Sequence, residues 1–421
     1  MSVAFNSDVD LTVSIAFDSE PLASSQTFTD VSAYVREFSI DRGRQHDLAD
    51  FQTGVASVLL SNTDDRFNPL NTSSPYYDST NNVTKISPFR QIKIDAEYSG
   101  TTKTLFRGFI TSFPESFGGQ GADSTVRIRC VDAFKIFNLN TIGSRGFRLG
   151  RVGFAELGEN TRLGYTDTQE LSSARITRLL NGFGWASSLR DISTGDLQVQ
   201  SGVPLTTNLL TAMKDVESAE QGQFFIGADG KVVFRDRNHK RTQQFQSQAT
   251  FGTGSGELPF SDVITTLDDS KVLNIISVTR DGGSEQLQSN DESIAKFGAR
   301  QDTLSGTLNV TDADALSVAK QRLNQFKDTA PRIEGLIVNP LSDTSIWTQA
   351  LARELGDKIT IKVPTTVSTT MEFDVHIDRI SHTVNAINQT WVWQLRTSAG
   401  SEVGSWVLGS SRLGQETNLA W

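Results

Sequence analysis

Along much of the chain, apolar and polar residues alternate one for one. Leu11, Val13, Ile15 and Phe17 form one such set, and Ile92, Ile94, Ala96 and Tyr98 form another. Val126, Ile128 and Cys130 repeat it, with Arg127 and Arg129 in between. The pattern is cleanest toward the C-terminus: Ile359, Ile361 and Val363; then Met371, Phe373, Val375 and Ile377; then Trp391, Trp393 and Leu395. Side chains of a pleated strand point to opposite faces in turn, so each set predicts a strand with one buried face.

Four segments carry the helical period instead. Leu171–Gly184 places Ile176, Leu179, Leu180 and Phe183 on one side and is stopped by Gly182 and Gly184. Thr207–Glu220 aligns Leu209, Leu210, Met213 and Val216. Thr311 suits an N-cap with Asp314 as its capping-box partner, ahead of Leu316, Ala319, Leu323 and Phe326. The fourth runs from Thr344 to Leu355, with Gly356 placed just past its end. All four are short and amphipathic, and are expected to lie against sheets.

The loops are polar. The longest, Asn62–Pro88, contains Asn71-Thr72-Ser73-Ser74-Pro75 and a second polar run from Asp78 to Thr84. A loop of this length in a compact domain is usually functional or part of an interface. Asn62, Asp64 and Asp65 lack the alternating ligand set and distant bidentate glutamate of a calcium loop. They are expected to hydrogen-bond turn backbones, with Phe67 and Pro69 as anchors. Gly252, Gly254 and Gly256 within Phe251–Glu257 read as a linker between domains.

Two distant segments share a plan. Ile92 opens a strand, Phe106 to Ile110 form a second, and Val126 to Cys130 a third. Ile359, Phe373 to Ile377, and Trp391 to Leu395 repeat the order, with 18 positions from Ile92 to Ile110 and 18 from Ile359 to Ile377. The fold expected is mainly β with an α+β insert: two similar β-barrel domains, a small α/β domain and short amphipathic helices. The divisions are 1–140 for the first barrel, 141–250 for the α/β domain, 251–400 for the second barrel with a helical insert at 311–355, and 401–421 for a C-terminal arm.

At 421 residues the chain is long enough for two to four domains. Its longest apolar run, Val55–Leu60, is far short of a membrane helix, and Met1–Asp10 has no basic start or apolar core of a signal peptide. A soluble, unexported chain without direct membrane insertion is therefore expected. One cysteine, Cys130, allows neither an intrachain disulfide nor a cysteine metal site. The balance of 39 basic and 49 acidic residues, net −10, repels a nucleic-acid backbone yet suits a passage through which DNA slides.

Candidate chemistry is sparse. The glycines 252, 254 and 256 do not link a strand to a helix, which weakens a phosphate-binding reading. His46 with Asp47 and Asp50 has no nucleophile elbow nearby. His376 and His382 are expected at solvent-facing strand positions. Asp268-Asp269 and Asp291-Glu292 read as solvated loop acids, and Trp391 and Trp393 as core residues rather than a sugar platform. No catalytic residue, metal or cofactor is expected.

Several residues together resemble a known family. Gly43-Arg44, Phe51, Gly54, Leu60 and Asn62 precede Asp65-Arg66-Phe67-Asn68-Pro69 and Ser74-Pro75-Tyr76. Leu105-Phe106-Arg107-Gly108-Phe109-Ile110 and Val126–Asp132 follow. Later come Gly184-Trp185, the Gly227–Phe234 hairpin, Leu355-Gly356-Asp357-Lys358-Ile359 and Ile377-Asp378-Arg379-Ile380-Ser381-His382. In this order they resemble the baseplate-hub (minor tail) proteins of phages over roughly residues 30–400.

The resemblance implies tail-tube-like barrels, a homotrimeric ring with pseudo-sixfold symmetry, and a place at the virion tail tip. It implies contacts with distal tail, tape measure and central fibre or spike proteins, around a lumen that DNA crosses without specific binding. Many relatives carry a peptidoglycan-cleaving or fibre extension. Only a Ser/Gly-rich stretch, Gly400–Trp421, follows the last strand here, so cell-wall cleavage is expected from another protein. The inter-subunit contacts expected are Arg66, Phe67, Pro69, Pro75, Tyr76 and Tyr77 in the long loop, packed between neighbours rather than in their own core, with Trp406 and Trp421 in the arm. A sixfold distal tail ring is the nearer alternative, and a glycan-binding or glycan-hydrolysing adhesin the more distant one.

Overall fold

The computed structural model of the chain describes residues 3–5, 9–23, 25–118, 123–142, 168–202, 207–242, 247–267, 269–329, 332–365 and 370–399. Trp406, Trp421 and the rest of the expected arm lie outside them, as does Asp268.

The first part of the chain is built of β1 (Val3–Phe5), β2 (Val9–Ile15), β3 (Val35–Gly43), β4 (Gln52–Ser61), β5 (Gln91–Tyr98), β6 (Thr101–Ser112) and β7 (Thr125–Val131). Helices α1 (Phe134–Leu139), α2 (Ser172–Phe183) and α3 (Leu209–Glu220) then lead into β8 (Gln223–Ile226) and β9 (Val232–Arg235). The last part holds β10 (Asp262–Thr266), β11 (Ile275–Arg280), β12 (Gln286–Ser289), α4 (Asp291–Phe297), β13 (Gln301–Thr307), α5 (Asp312–Phe326) and β14 (Arg332–Val338). It closes with α6 (Ser345–Ala352), β15 (Lys358–Pro364), β16 (Thr370–Asn385) and β17 (Thr390–Ala399).

The protein is mainly β. One sheet dominates, in the order β1-β2-β5-β6-β7-β4-β3-β16-β17-β14-β10, with β15 paired to the far half of β16. Every neighbouring pair on that path is antiparallel. Both expected meanders are present: β5-β6-β7 in the first part, and β15-β16-β17 in the last.

Alternation decides which face is buried. Leu11, Val13 and Ile15 of β2 join Phe38, Ile40, Val58, Leu60, Ile92, Ile94 and Ile128 in one apolar cluster. Trp347 and Trp391, from the last part of the chain, enter that same cluster. A second cluster takes Phe51, Phe109 and Phe134 from the first part, Ile176, Leu180, Met213 and Phe224 from the middle, and Ile361, Ile377 and Trp393 from the end. A small third one seats α5 on β11 through Ile276, Val278, Ala315 and Val318.

The helices follow their sequence signals closely. Gly184 ends α2 at φ 84°, a left-handed turn that glycine adopts without strain. Asn208 caps α3, accepting the Thr211 N–H, and the Thr311–Asp314 capping box opens α5.

Three expectations need correction. The helix expected to run to Leu355 stops at Ala352, because the Gly356 N–H donates to Ile377 O at 2.7 Å and draws the chain into the β16 ladder. Phe17 is buried, yet β2 ends at Ile15. The glycine-rich Phe251–Glu257 segment is not a free linker. Phe251 is fully buried and sits opposite Ile361, and the Glu257 carboxylate folds back to accept the Gly254 N–H at 2.7 Å.

Candidate assembly surface and the seam between the two halves

The Asn62–Pro88 loop is knitted together by its own short polar side chains. Asn62 Oδ1 accepts the Phe67 N–H at 2.9 Å, Asn68 Oδ1 the Leu70 N–H at 2.9 Å, and Asn71 Oδ1 the Ser73 N–H at 2.9 Å. Asp78 Oδ1 accepts from Thr80 and Asn81, and two short strands, Tyr77–Asp78 and Val83–Thr84, close the loop's far part. Asn and Asp here hold turns, as their types suggest. Asp64 is ion-paired with Arg66 at 2.5 Å, which holds its carboxyl below the ordinary range.

Phe67 and Tyr76 are not surface contacts. Phe67 is fully buried and stacks on Tyr76 at 5.5 Å, edge-on to Tyr34 at 5.6 Å, and Tyr76 stacks on Phe17 at 4.0 Å. The expectation that they pack between neighbours rather than in their own core is therefore overturned. Two large rings at the base of the loop bury more apolar area against the first cluster than a solvent-facing loop could keep dry. Arg66 lies over the Tyr34 ring at 4.0 Å, half-buried. Pro69 and Tyr77 are half-buried and Pro75 is exposed. The outer surface instead presents Leu70, 86% exposed, and Val83, 52% exposed.

A group of buried and half-buried ion pairs lies where β3 meets β16. Glu37–Gly43 runs opposite Arg379–Asn385, so the first and last parts of the chain form one ladder. Arg44 donates to the Asp378 carboxylate at 2.8–2.9 Å, and both side chains are buried. Burial alone would raise the Asp378 carboxyl, but the Arg44 guanidinium holds it below its ordinary range. Asp41 binds the Arg379 guanidinium and accepts from Ser381 Oγ at 3.0 Å. Arg42 reaches Glu354 at 2.8 Å, whose other oxygen accepts the Ala228 N–H at 2.8 Å, tying in the middle segment. Gly43, at φ 122°, lets the strands approach: a Cβ there would lie 2.1 Å from Asp378 O.

His376 and His382 are corrected too. Both are buried rather than solvent-facing: His382 lies against Trp391 and Trp393, and His376 Nδ1 sits 3.1 Å from Gly356 O. His382 Nδ1 accepts the Trp391 Nε1–H at 3.1 Å, and burial lowers its pKa to about 3. His376 is likewise lowered to about 3, chiefly by burial. Trp391 and Trp393 are core residues, as expected. Asp291 and Glu292 sit in the first turn of α4, where Glu292 pairs with Lys296.

Beside the seam, a cleft of about 210 Å³ is lined by Arg44, Asp47, Asp50, Glu217, Gln223 and Lys240 among others. Burial pushes Glu217 up to about 8, so it sits there as an acid that accepts the Phe224 N–H. Asp50 is paired with Lys214 and Asp47 with Lys271. Among the described residues that line it there is one serine, Ser218, and no threonine, cysteine or histidine. Arg44 and Asp378 both fall in the segments that carry the family resemblance, but nothing local in the sequence joins them to each other or Arg42 to Glu354.

No known family's sequence profile matches the chain, and no curated protein matches it in sequence. Solved structures do match. The 43 kDa tail protein of prophage MuSo2 from Shewanella oneidensis superposes with a TM-score of 0.54 at 9% identity, covering 93% of this chain and 99% of that one. A tail protein from Neisseria meningitidis MC58 gives 0.54 at 7% identity, covering 93% and 97%. The fold is that of phage tail proteins. At such low identity the tail-protein fold is what the comparison establishes. Nearly full coverage in both directions means that the sheet, the middle segment and the closing meander all belong to it.

Proposed function

We propose that this chain is a structural hub subunit at the tip of a phage tail, acting by assembly and not by catalysis. Three copies would form a ring in which each contributes two similar barrel-like halves, giving six-fold pseudosymmetry toward the tail tube and threefold symmetry toward a central fibre or spike. The distal tail and tape measure proteins would be its neighbours, and DNA would pass through the lumen.

The observation that carries this reading is the end-to-end match of the fold to two tail proteins. It is supported by the repeated meander, whose two copies sit on either side of the β3–β16 seam. The net charge of −10 suits a wall that does not hold phosphates. The exposed tip of the long loop, with Leu70, Pro75 and Val83, is the surface we assign to subunit contact. The domain division at 140, 250 and 400 remains part of the proposal.

The test is copy number and symmetry, read by imaging intact tails. Three copies about the axis support the hub. Six would move the chain to the distal ring, and copies hanging off the axis would make it an adhesin.

A further inference from the structure

Three turns crowd one end of the dominant sheet, and each leaves a large apolar side chain in solvent. Leu70, Phe117 and Ile387 are 86%, 62% and 66% exposed, three of the five most exposed large apolar side chains among the described residues. Hydrogen bonds join the turns. Asn71 Nδ2 donates to Asp65 O at 2.9 Å, which holds Leu70 beside Asp65. Ser124 O accepts the Asn62 N–H at 2.8 Å while Thr125 pairs with Ser116, so the long loop starts alongside the hairpin that carries Phe117. On that hairpin Asp123 binds Arg36 at 2.5 Å, and Arg36 O accepts the Ala386 N–H at 2.8 Å, next to Ile387. Apolar side chains scattered singly over a surface mean little, but a group of them rimmed by polar residues marks a contact site.

Two acids without a cation lie among them. Asp65 is held by the Asn68 amide at 3.1 Å, and neither it nor Glu115 meets a basic side chain among the described residues. Burial and then the Asp65 charge push the Glu115 carboxyl above its ordinary range. Like charges held side by side destabilise the free chain, and a cation from outside relieves them. The other end of the sheet offers one. β7 runs from Thr125, opposite Ser61, to Val131, opposite Val55, and α1 follows it there. Lys135 and Leu139 stand one turn apart on α1 and so share a face. Leu139, 64% exposed, is another of the five, and among the described residues Lys135 has no acid within ion-pair reach. The last of the five, Leu267, lies four residues from Lys271, which Asp47 already takes.

We infer that the Lys135–Leu139 face of one copy of this chain seats on Asp65 and Glu115 of the next, with Leu139 among Leu70, Phe117 and Ile387. The inference deepens the hub reading. It rests on that reading for the number of copies and for the loop-tip contact to which Leu70 already belongs. Complementarity of two kinds selects a second copy: an unpaired lysine beside an exposed leucine meets unpaired acids beside exposed apolar side chains. A neighbour that covers the loop tip also lies over Asp65, because Leu70 and Asp65 are held together. The two patches differ, so the contact is head-to-tail, and contacts of that kind form a ring where the rotation closes.

The experiment uses the full chain in three altered forms: Lys135→Glu; Asp65→Asn with Glu115→Lys; and all three substitutions together. Asparagine suits the left-handed backbone of position 65, φ 58°, and circular dichroism should match the parent throughout. Sedimentation should show the parent as an oligomer that weakens as salt rises, and the first two variants as monomers. The third should associate again, because opposite charges face each other with their signs exchanged. Leu139→Ser, which alters no charge, should weaken association as well. A parent that stays monomeric, a Lys135→Glu chain that associates like the parent, or a third variant as weak as the first two overturns the inference. Imaging of tails separates the two readings. Three copies in which Lys135 does not face the neighbour's Asp65 and Glu115 sink the contact and leave the hub. Six copies or off-axis copies sink the hub, and the exchanged charges still decide the contact.

Discussion

Phe67 and Leu70 lie three residues apart and answer to different physics. Phe67 is buried between two tyrosines, whereas Leu70 is 86% exposed. Phe67→Ala empties a ring-sized space and should cost about 3–5 kcal/mol, visible as a lowered Tm. Leu70→Glu should leave stability within about 0.5 kcal/mol of the parent while stopping ring formation in imaged particles. Unchanged assembly would remove the loop tip from the interface. His382 adds a pH dependence. Its folded pKa, about 3, lies below the ordinary 6.5, because protonation would bury a charge and lose the acceptor of the Trp391 N–H. The neutral form's contribution is therefore complete above pH 6.5 and is lost as pH falls toward 3. In His382→Gln the acid limb of stability against pH should flatten by about 1.4 kcal/mol per pH unit in that window. An unaltered slope would mean that the ring already titrates normally.

At the scale of elements, the β3–β16 seam depends on a glycine and a buried ion pair. Asp378→Asn leaves the Arg44 guanidinium buried without its counter-charge, an arrangement that costs about 3–5 kcal/mol in other proteins. Gly43→Ala drives a methyl group into the Asp378 carbonyl and should part the two strands. Hydrogen exchange checks both, with protection lost first along 37–43 and 379–385. Strands and helices were largely legible in the sequence, because alternation and caps are local: the Thr311–Asp314 capping box and the Trp391, Trp393, Leu395 face could be read directly. What a residue meets across the fold could not. Phe67 reads as an interface residue because it lies in a polar loop, and nothing local shows Tyr34 packed against it. His376 and His382 alternate with apolar residues just as surface positions do, and only the fold buries them, His382 under the two tryptophans and His376 beside Gly356. Asp132 shows the intermediate case. It stood out in the family resemblance, and its physical role is to accept the Gly54 and Phe134 N–H groups at 2.6 and 2.9 Å.

For the molecule as a whole, the question is whether the two halves stand alone. The sheet passes through the seam without interruption, and Trp347 and Trp391 complete the core of the first half from the far end of the sequence. Phe51, Phe109 and Phe134 bury themselves against the middle segment and against the closing meander's cluster. A fragment spanning 1–140 would keep β2 to β7 but expose those three rings and lose both tryptophans. Neither half can therefore unfold without stripping apolar surface from the other, and shared burial of this kind produces a single transition. Calorimetry of the whole chain should show one peak whose calorimetric and van't Hoff enthalpies agree. Asp378→Asn weakens the ladder but leaves the shared aromatic packing, so it should lower the peak temperature and keep the peak single. If it splits the peak in two, then the buried Arg44–Asp378 pair, and not the interlocked cores, is what makes the two halves one cooperative unit.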